Sequence, residues 1–276
     1  MKVVLITGGA RGIGAATASE LARRGWTPVL ADIDAEGDVL PLDVTDGEAC
    51  EQVVATVMER HGRLDAVWAN AGIASFGPLA LTDPAAWERT VEVNLLGAFN
   101  TIRAALPAVI AARGYVAVSA SLASFAHAPG MSAYSASKAG LEAMCNSLRI
   151  ELAHHGVAVG TIHPSWIDTP MVREGHAELR AFERLRAALA PPFNKTYPVE
   201  KAARDIADGF DRRATRICTP GFVRAAHVMR AALTTRPFQR DLVAAAPDIE
   251  RLFAEQVSER GRRETSASER VAARLP

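Results

Sequence analysis

The feature that most constrains the fold is an alternation, over the first 165 residues, of short apolar runs with longer amphipathic stretches. The runs are almost continuously hydrophobic, which is typical of parallel strands buried on both faces. Because right-handed crossovers place helices on both sides of such a sheet, the pattern predicts a doubly wound α/β (Rossmann) fold of about seven strands. The expected strands are Lys2–Thr7, Thr27–Asp32, Asp38–Leu42, Leu64–Asn70, Gly114–Ala120, Val157–His163 and Thr215–Thr219, and the expected helices are Gly12–Arg24, Gly47–His61, Pro84–Arg113, Ala133–His155 and Val199–Arg212.

The connection after Asp32 departs from this pattern. Only Ile33–Gly37 separates Asp32 from the next expected strand, whereas parallel strands are usually joined by a dozen residues or more. We therefore expect a tight loop there, and an edge of the sheet that is less covered than usual.

Composition limits the partners that this chain is expected to have. Lys plus Arg and Asp plus Glu both number 31, so the net charge is zero and gives no reason to expect nucleic acid. Cys50, Cys145 and Cys218 are too scattered for a disulfide framework and are interpreted as core residues. No apolar run approaches membrane-spanning length and the N-terminus lacks a signal-peptide core, so we expect a cytoplasmic protein.

A glycine-rich loop, Thr7–Gly14, lies directly between the first strand and the first helix. Glycines there let the backbone approach a pyrophosphate, and the helix N-terminus supplies free N–H groups and partial positive charge. The loop thus predicts a dinucleotide site, although a purely structural turn would also use glycines. The residues expected to contact the cofactor here are Gly8, Arg11, Gly12, Ile13 and Gly14.

The cofactor preference is expected to depend on Asp32, which ends the second strand eighteen residues after Gly14. A carboxylate at this position accepts hydrogen bonds from a ribose 2′-hydroxyl and repels a 2′-phosphate, which favours NAD. Arg11 could instead reach a 2′-phosphate, so NADP remains the less favoured alternative.

Further polar residues follow the next strands at the edge of the sheet where ligands collect in open α/β folds. Asp43 and Val44 follow the third strand, and Asn70, Ala71 and Gly72 follow the fourth. Asp43 could accept a hydrogen bond from the adenine amino group. Either group could also be a simple loop cap.

Tyr134 and Lys138 lie four residues apart and share a face of a predicted helix. A nearby ammonium favours the phenolate and lowers the pKa of a tyrosine, which gives a usable general acid/base. Ser119 and Ser121, just upstream, could each place a hydroxyl beside the phenol.

Several elements follow one another along the chain: the Thr7–Gly14 loop, Asn70-Ala71-Gly72, Asn94, Ser121 thirteen residues before Tyr134, and Lys138. Together they resemble the short-chain dehydrogenase/reductase family over residues 2–171. That resemblance implies an NAD(P)-dependent oxidoreductase that moves a hydride between a nicotinamide and an alcohol or carbonyl carbon.

The resemblance also implies a role for each catalytic residue. Tyr134 would be the acid/base, and Lys138 would hold the nicotinamide ribose and depress the pKa of the tyrosine. Ser121 would orient the substrate oxygen, a role that suits Ser119 less well. Asn94 would support a water through which the proton reaches solvent, which is compatible with an ordinary amide bonded to backbone.

The segment after the sixth strand departs from the family pattern at one position. Pro164, the Ile167 backbone and Thr169 fit the nicotinamide-contacting role, but Ser165 stands where the family usually has glycine. Trp166 is either a wall of the substrate pocket or a core residue. His127 and His163 are interpreted as hydrogen-bonded structural histidines, and no metal is expected.

The motifs divide the chain into a catalytic domain, residues 1–220, and a helical extension, residues 221–276, with a polar tail from about Ser258. Within the first part, residues 171–196 are expected to form a substrate lid. Its apolar residues could face a hydrophobic substrate or pack on the rest of the catalytic domain. They are Leu179, Phe182, Leu185, Leu189 and Phe193, and apolar residues near Ser121 are Leu122, Phe125 and Met131.

These features favour an apolar secondary alcohol or ketone as the substrate, and a homodimer or homotetramer formed through the two long helices. Residues 222–233 carry Arg224, His227 and Arg230 on one stripe. Such a helix could contact a membrane, but packing on its own domain or a neighbouring subunit is favoured. The alternatives for function are an NADPH-dependent carbonyl reductase and a non-catalytic dinucleotide sensor.

Overall fold

The computed structural model describes residues 1–261, in which seven parallel strands form one sheet in the order β3-β2-β1-β4-β5-β6-β7. This confirms the predicted doubly wound fold. Because the order reverses between β1 and β4, the carboxyl ends of these two strands border a crevice in which ligands collect. The strands are β1 (Lys2–Thr7), β2 (Trp26–Asp32), β3 (Leu40–Pro41), β4 (Ala66–Ala69), β5 (Tyr115–Ser119), β6 (Ala158–Pro164) and β7 (Arg216–Thr219).

The edge strand β3 is shorter than the predicted Asp38–Leu42. Only Leu40 and Pro41 pair with β2, because the preceding residues turn, with the Val39 amide donating to the Glu36 carbonyl. Proline has no amide hydrogen and suits an edge strand. As expected, a short loop without a helix connects β2 to β3.

Helices cover both faces of the sheet. The predicted helix Pro84–Arg113 is interrupted by a π-helical turn, Glu92–Leu96. The predicted helix Ala133–His155 corresponds to α5, which begins one residue earlier, followed by a 3₁₀ turn that ends at His155. Residues 171–196 hold two helices. The helices are α1 (Gly12–Arg23), α2 (Gly47–His61), α3 (Pro84–Val91), α4 (Gly97–Ala111), α5 (Ser132–Glu151), α6 (Pro170–Glu178), α7 (Arg180–Ala188), α8 (Val199–Asp211), α9 (Phe222–Val228), α10 (Arg230–Leu233) and α11 (Arg236–Arg260).

Alternate residues of each strand point into two separate cores. On β1, Val3 and Leu5 pack with the α2, α4 and α5 side, whereas Val4 and Ile6 pack with the α1 and α8 side. Phe210 of α8 is fully buried and meets Trp26, Trp68 and Tyr115 through ring contacts. The continuous apolar runs in the sequence are therefore explained by burial on both faces.

The cysteines have the environments expected of core residues. Cys50 and Cys145 are buried and Cys218 is half-buried, and none is in a disulfide. Burial raises the pKa of the Cys50 thiol to about 11 and that of the Cys145 thiol to about 12.

The helices after β7 form the extension, and α11 packs against α7. The predicted polar tail begins inside α11, which continues to Arg260, and its remainder lies outside the described residues. The domain boundary at residue 220 stays a prediction.

The basic stripe predicted on residues 222–233 is not a continuous exposed face. His227 is 5% exposed, and its Nε2 lies 2.8 Å from a carboxylate oxygen of Glu142 on α5. Because its central member binds the body of the protein, the stripe gives no support to membrane contact.

One helical stretch, Pro84–Ala111, is long and apolar enough to span a membrane by composition, contrary to the expectation from the sequence. Within it, Ala98, Ile102, Ala105 and Val109 are buried in the core beside the sheet. The apolar composition is accounted for by this packing, as in the core helix of a globular domain.

Candidate active site

The Thr7–Gly14 loop turns tightly at the carboxyl end of β1, and its glycines are required by the available space. Gly8 and Gly12 have φ angles of +65° and +61°. A Cβ on Gly8 would lie 2.7 Å from the Cα of Ala71, and one on Gly14 would overlap the carbonyl oxygen of Gly8. The loop is thus held close to the strand β4 side, with backbone N–H groups of the α1 N-terminus beside it.

The Asn70 side chain fixes this loop. Its Nδ2 donates to the carbonyl oxygens of Thr7 and Gly8, at 3.0 and 2.9 Å, and its Oδ1 accepts from the Ser119 hydroxyl at 2.9 Å. One amide therefore connects β1, β4 and β5 where their carboxyl ends meet.

A cleft of about 200 Å³ lies beside the loop, and most of the residues predicted to bind cofactor line it. Gly14 lies under the loop instead. Ile167 is buried and does not line the cleft, although its carbonyl oxygen accepts from the Thr169 hydroxyl at 3.3 Å. The predicted residues on the cleft are Gly8, Arg11, Gly12, Ile13, Asp32, Asp43, Val44, Asn70, Ala71, Gly72, Tyr134, Lys138, Pro164 and Thr169, and those not predicted from the sequence include Ile33, Leu42, Ile73, Val93 and Met171.

Asp32 and Arg11 stand at one end of the cleft. The Asp32 carboxylate accepts from the backbone amides of Ala10 and Asp34, at 2.9 and 3.0 Å, and is 8% exposed. Arg11 forms a salt bridge of 3.2 Å with Asp34. A carboxylate held by backbone amides and an ion-paired guanidinium therefore stand together at this end.

Tyr134 lines the cleft, and Ser121 lies beside this tyrosine without lining the cleft itself. Ser121 caps the 3₁₀ turn Leu122–Ser124, and its Oγ accepts from the Ala123 amide at 3.1 Å. Burial raises the pKa of Tyr134, and a hydrogen bond with the Ser121 side chain offsets this in part. The two hydroxyls are thus within hydrogen-bonding reach of one another.

Lys138 is oriented by backbone rather than by the phenol. Its Nζ donates to the Ser119 carbonyl oxygen at 2.7 Å and lies 5.5 Å from the centroid of the Tyr134 ring. Burial lowers the pKa of Lys138 to about 8. The expected lowering of the tyrosine pKa by this lysine is not found; desolvation of the phenol raises that pKa instead.

Asn94 lies in the π turn and is fully buried. Its Oδ1 accepts from the Ile73 amide at 2.8 Å, and its Nδ2 donates to the Ile73 carbonyl and to the Ser137 hydroxyl. Gly72 leaves room in front of it, since an added Cβ would lie 3.0 Å from Asn94 Oδ1 and 3.4 Å from Lys138 Nζ. Asn94 and Lys138 therefore face one small space.

Ser119, the competing serine, has a different environment. Its hydroxyl accepts from Trp68 Nε1 at 2.9 Å and donates to Asn70, so both its roles are taken by the scaffold. Ser121 is thus the serine that has a hydroxyl beside Tyr134.

A second, larger cavity of about 480 Å³ adjoins the cleft, and Tyr134 lines both. Most of its lining is apolar. It includes Phe76, Leu122, Met131, Trp166, Leu179, Phe182, Leu189 and Phe193, whereas Leu185 of the predicted lid packs against α11 and Phe125 packs against His163 and His227. Some apolar residues of the segment 171–196 therefore line the cavity, whereas others pack on the rest of the protein, so each of the two interpretations holds for part of the segment.

Trp166, on the wall of this cavity, is supported by Arg186 from behind. The guanidinium carbon lies 4.5 Å from the centre of the indole. Arg186 is 6% exposed and donates to the Asn194 carbonyl and the Thr196 hydroxyl. This contact ties α7 to the loop after it and was not predicted from the sequence.

His163 lies directly beneath Ser121. Its Nδ1 is 3.1 Å from the Ser121 carbonyl oxygen and its Nε2 is 2.9 Å from the Thr161 hydroxyl. A ring that donates from Nδ1 and accepts at Nε2 satisfies both contacts, so His163 is the neutral, hydrogen-bonded histidine that was expected. Among residues 1–261, no group of three His, Cys, Asp or Glu side chains is placed to hold a metal ion.

Comparison with known proteins agrees with this geometry. The family model described as short chain dehydrogenase matches residues 2–180, more than half of the 276-residue chain. The match ends before α8, so the helices of the extension lie beyond it.

Individual proteins give a similar result. An uncharacterised NAD-dependent oxidoreductase of Mycobacterium tuberculosis is 36% identical over 214 residues, covering 66% of this chain and 77% of that protein. A cyclopentanol dehydrogenase of Comamonas sp. is 34% identical over 206 residues, covering 69% of this chain and 81% of that protein. The crystal structure of levodione reductase has a TM-score of 0.72 and 26% identity, covering 82% of this chain and 98% of that one.

We predict that His163 makes the stability of the protein sensitive to mild acid. Burial lowers its pKa from 6.5 to about 4, near Glu142, His227 and Arg216. Below pH 6.5 the unfolded chain therefore takes up a proton that the folded protein does not. Stability present above that pH is lost as the pH falls toward the folded pKa, by roughly 2 kcal/mol between pH 7 and pH 5.

Urea unfolding of the wild type and of His163→Gln at the two pH values measures this contribution. The variant is expected to lose less stability on acidification than the wild type. His61→Gln, which removes an exposed imidazole, is the matched control. Equal pH dependence in the wild type and His163→Gln would contradict the prediction.

Proposed function

We propose that this chain, which belongs to the short-chain dehydrogenase family and is an oxidoreductase acting on CH–OH groups, interconverts an apolar secondary alcohol and its ketone. The observation that carries the proposal is the junction of two cavities at one phenol. Tyr134 lines both the glycine-bordered cleft and the apolar cavity, and the Ser121 hydroxyl lies within its reach. A substrate at that junction has its oxygen beside two hydroxyls and its carbon skeleton among apolar side chains.

The cleft suits a nicotinamide dinucleotide, which supplies or accepts the hydride when it is bound. The loop glycines and the α1 N-terminus would hold the pyrophosphate, and Asp32 would hold the adenosine ribose. Lys138 and Thr169 line the same cleft and would contact the nicotinamide ribose. These residues would place the nicotinamide where the cleft adjoins the larger cavity.

Tyr134 moves the proton at the substrate oxygen. In ketone reduction its hydroxyl donates, and the raised pKa keeps the phenol protonated at neutral pH for this purpose. In alcohol oxidation the same oxygen accepts the alcohol proton as the phenolate, and Lys138, with its Nζ 5.5 Å from the ring centroid, would stabilise that phenolate before the transfer. Ser121 fixes the substrate oxygen beside the phenol.

We assign proton exchange with solvent to the space beside Gly72. Asn94 Oδ1 accepts one hydrogen bond, and a carbonyl oxygen can accept two. A water held there would also lie beside Lys138 Nζ, since both atoms border Gly72. This water would pass the proton between the lysine and the outside.

The preference that we propose for the cofactor is NAD over NADP. Asp32 is held by two backbone amides, so its charge stays where a 2′-phosphate would have to lie. The salt bridge to Asp34 draws Arg11 away from the role of phosphate receptor. The similarity to an NAD-dependent oxidoreductase supports the same preference.

Replacing Tyr134 with phenylalanine tests the proton-transfer assignment. The variant lacks the proton donor, so turnover of a cyclic alcohol such as cyclopentanol is expected to fall by about 10²-fold or more. Binding of NADH, measured by fluorescence titration, is expected to remain. Tyr197→Phe removes a phenolic hydroxyl outside the cleft and should retain wild-type turnover; substantial activity in Tyr134→Phe would refute the assignment.

Replacing Asp32 with asparagine tests the cofactor preference. The wild type is expected to bind NADH more tightly than NADPH, because the carboxylate repels the 2′-phosphate. In Asp32→Asn the ratio of the two dissociation constants should shift toward NADPH by about tenfold. Asp38→Asn, in the exposed part of the same loop, should leave the ratio unchanged, and tighter NADPH binding by the wild type would overturn the preference.

We propose in addition that the chain is a homodimer or homotetramer assembled through α4 and α5. Leu96 and Phe99 are about half exposed, and Ile150 of α5 is 80% exposed. Large apolar side chains on two neighbouring long helices are typical of a subunit interface.

Sedimentation velocity of Phe99→Glu tests this assembly. A buried glutamate at the interface carries a desolvation cost, so the variant is expected to sediment as a smaller species than the wild type. Leu79→Glu places the same charge on a residue 71% exposed elsewhere and is the control. A wild type that sediments as a monomer would refute the proposal.

A further inference from the structure

One wall of the larger cavity is formed by residues of the C-terminal extension and not by the lid. Leu233 at the end of α10 and Phe238, Asp241 and Leu242 of α11 all line the cavity. The three α11 residues are three and four positions apart, so they share one helix face. That face is an amphipathic stripe directed at the substrate space.

The same stripe continues along α11 into a buried contact with the lid. Ala245, Ile249 and Phe253 are buried with Ala181 and Leu185 of α7. Outside this apolar contact, Arg184 pairs with Asp248 at 3.1 Å and Arg180 pairs with Glu259 at 2.7 Å. One end of α11 thus lines the cavity while the rest of the helix is fixed to the lid.

Gln256 hydrogen-bonds to the junction between α6 and α7, the two helices of the lid. Between α6 and α7, Leu179 has an extended backbone, which leaves helix-end groups unpaired. The Gln256 side chain donates to the Glu178 carbonyl and accepts from the Arg180 amide, and it is 3% exposed. The position of the lid therefore depends on α11.

We propose that α10 and α11 form the distal wall of the substrate site, and that Phe238 and Leu242 determine which substituent on the alcohol is accepted. The inference rests on the proposed function, since it describes the far end of the same cavity. A space of about 480 Å³ is much larger than one five- or six-membered ring. A ring held at Tyr134 leaves the distal part for a second apolar group.

The charges around the cavity indicate that this second group is uncharged. Asp241 on the α11 face is ion-paired with Arg240 at 3.4 Å, and Arg11 is ion-paired with Asp34 at 3.2 Å, so both of these charges are already engaged. A charged substituent pointing toward α11 would lose hydration beside Phe238 and Leu242 without an unengaged partner charge on that helix face. The substrate class is therefore a cyclic secondary alcohol with a neutral apolar substituent remote from the hydroxyl.

Three alcohols distinguish these possibilities: cyclohexanol, 4-cyclohexylcyclohexanol and trans-4-hydroxycyclohexanecarboxylate. We expect the wild type with NAD to prefer the bicyclic alcohol over cyclohexanol in kcat/KM by about tenfold or more, and the carboxylate to be the poorest substrate. Phe238→Ala and Leu242→Ala should each lower the preference for the bicyclic alcohol by about tenfold. Val243→Ala, on the same helix with a side chain 66% exposed, is the matched control and should keep the wild-type preference.

Calorimetric titration of the same alcohols into the protein with NADH separates the wall from the chemistry. Selective binding that the two variants weaken, without turnover, would keep the wall and refute the proposed function. Turnover with a preference that neither variant changes would keep the function and overturn the wall. Preference for the carboxylate, or failure of the bicyclic alcohol to bind, would also overturn it.

Discussion

The hydrogen bonds of the Asn70 amide are the interaction on which the rest of the site depends. They hold the glycine loop after β1 and reach the Ser119 hydroxyl at the end of β5. The backbone carbonyl of Ser119 in turn receives Lys138 of α5. A single polar network therefore sets the distance between the place where a pyrophosphate fits and the place where a proton moves. Because the members of this network are hydrogen-bonded to one another, burying it costs little free energy, and the network fixes the orientation of its side chains.

Desolvation governs the protonation of the groups around this network. Tyr134 and Lys138 are both buried, and burial displaces the pKa of each toward its neutral form. His163 is kept neutral by the same effect beneath Ser121. A substrate oxygen beside Tyr134 would thus meet a hydroxyl that can donate a proton. The charges that assemble at the cleft would set how far the equilibrium shifts toward the phenolate.

The sequence predicted the features that depend on local periodicity or on strand ends. Parallel strands are apolar throughout, and ligand residues follow them, so Asp32 and the Tyr134–Lys138 pair were identifiable. Contacts between distant segments were not. His227 looked like part of an exposed basic stripe because its partner, Glu142, is 85 residues away. The burial of Ile167, the raised pKa of Tyr134 and the place of α11 beside the larger cavity likewise depend on packing, which no spacing records.

The helix α11 has a consequence for how such a protein diversifies. Its cavity-lining residues lie beyond residue 180, where the family match ends, and share no hydrogen bond with the glycine loop or with Lys138. Substitutions on that helix can therefore alter the range of accepted molecules while the hydride and proton chemistry is inherited intact. The Gln256 contacts limit this freedom, because a change that displaces the helix also displaces the lid. Selection for new substrates is therefore expected to act on the first turns of α11 and to be restrained in the last turns.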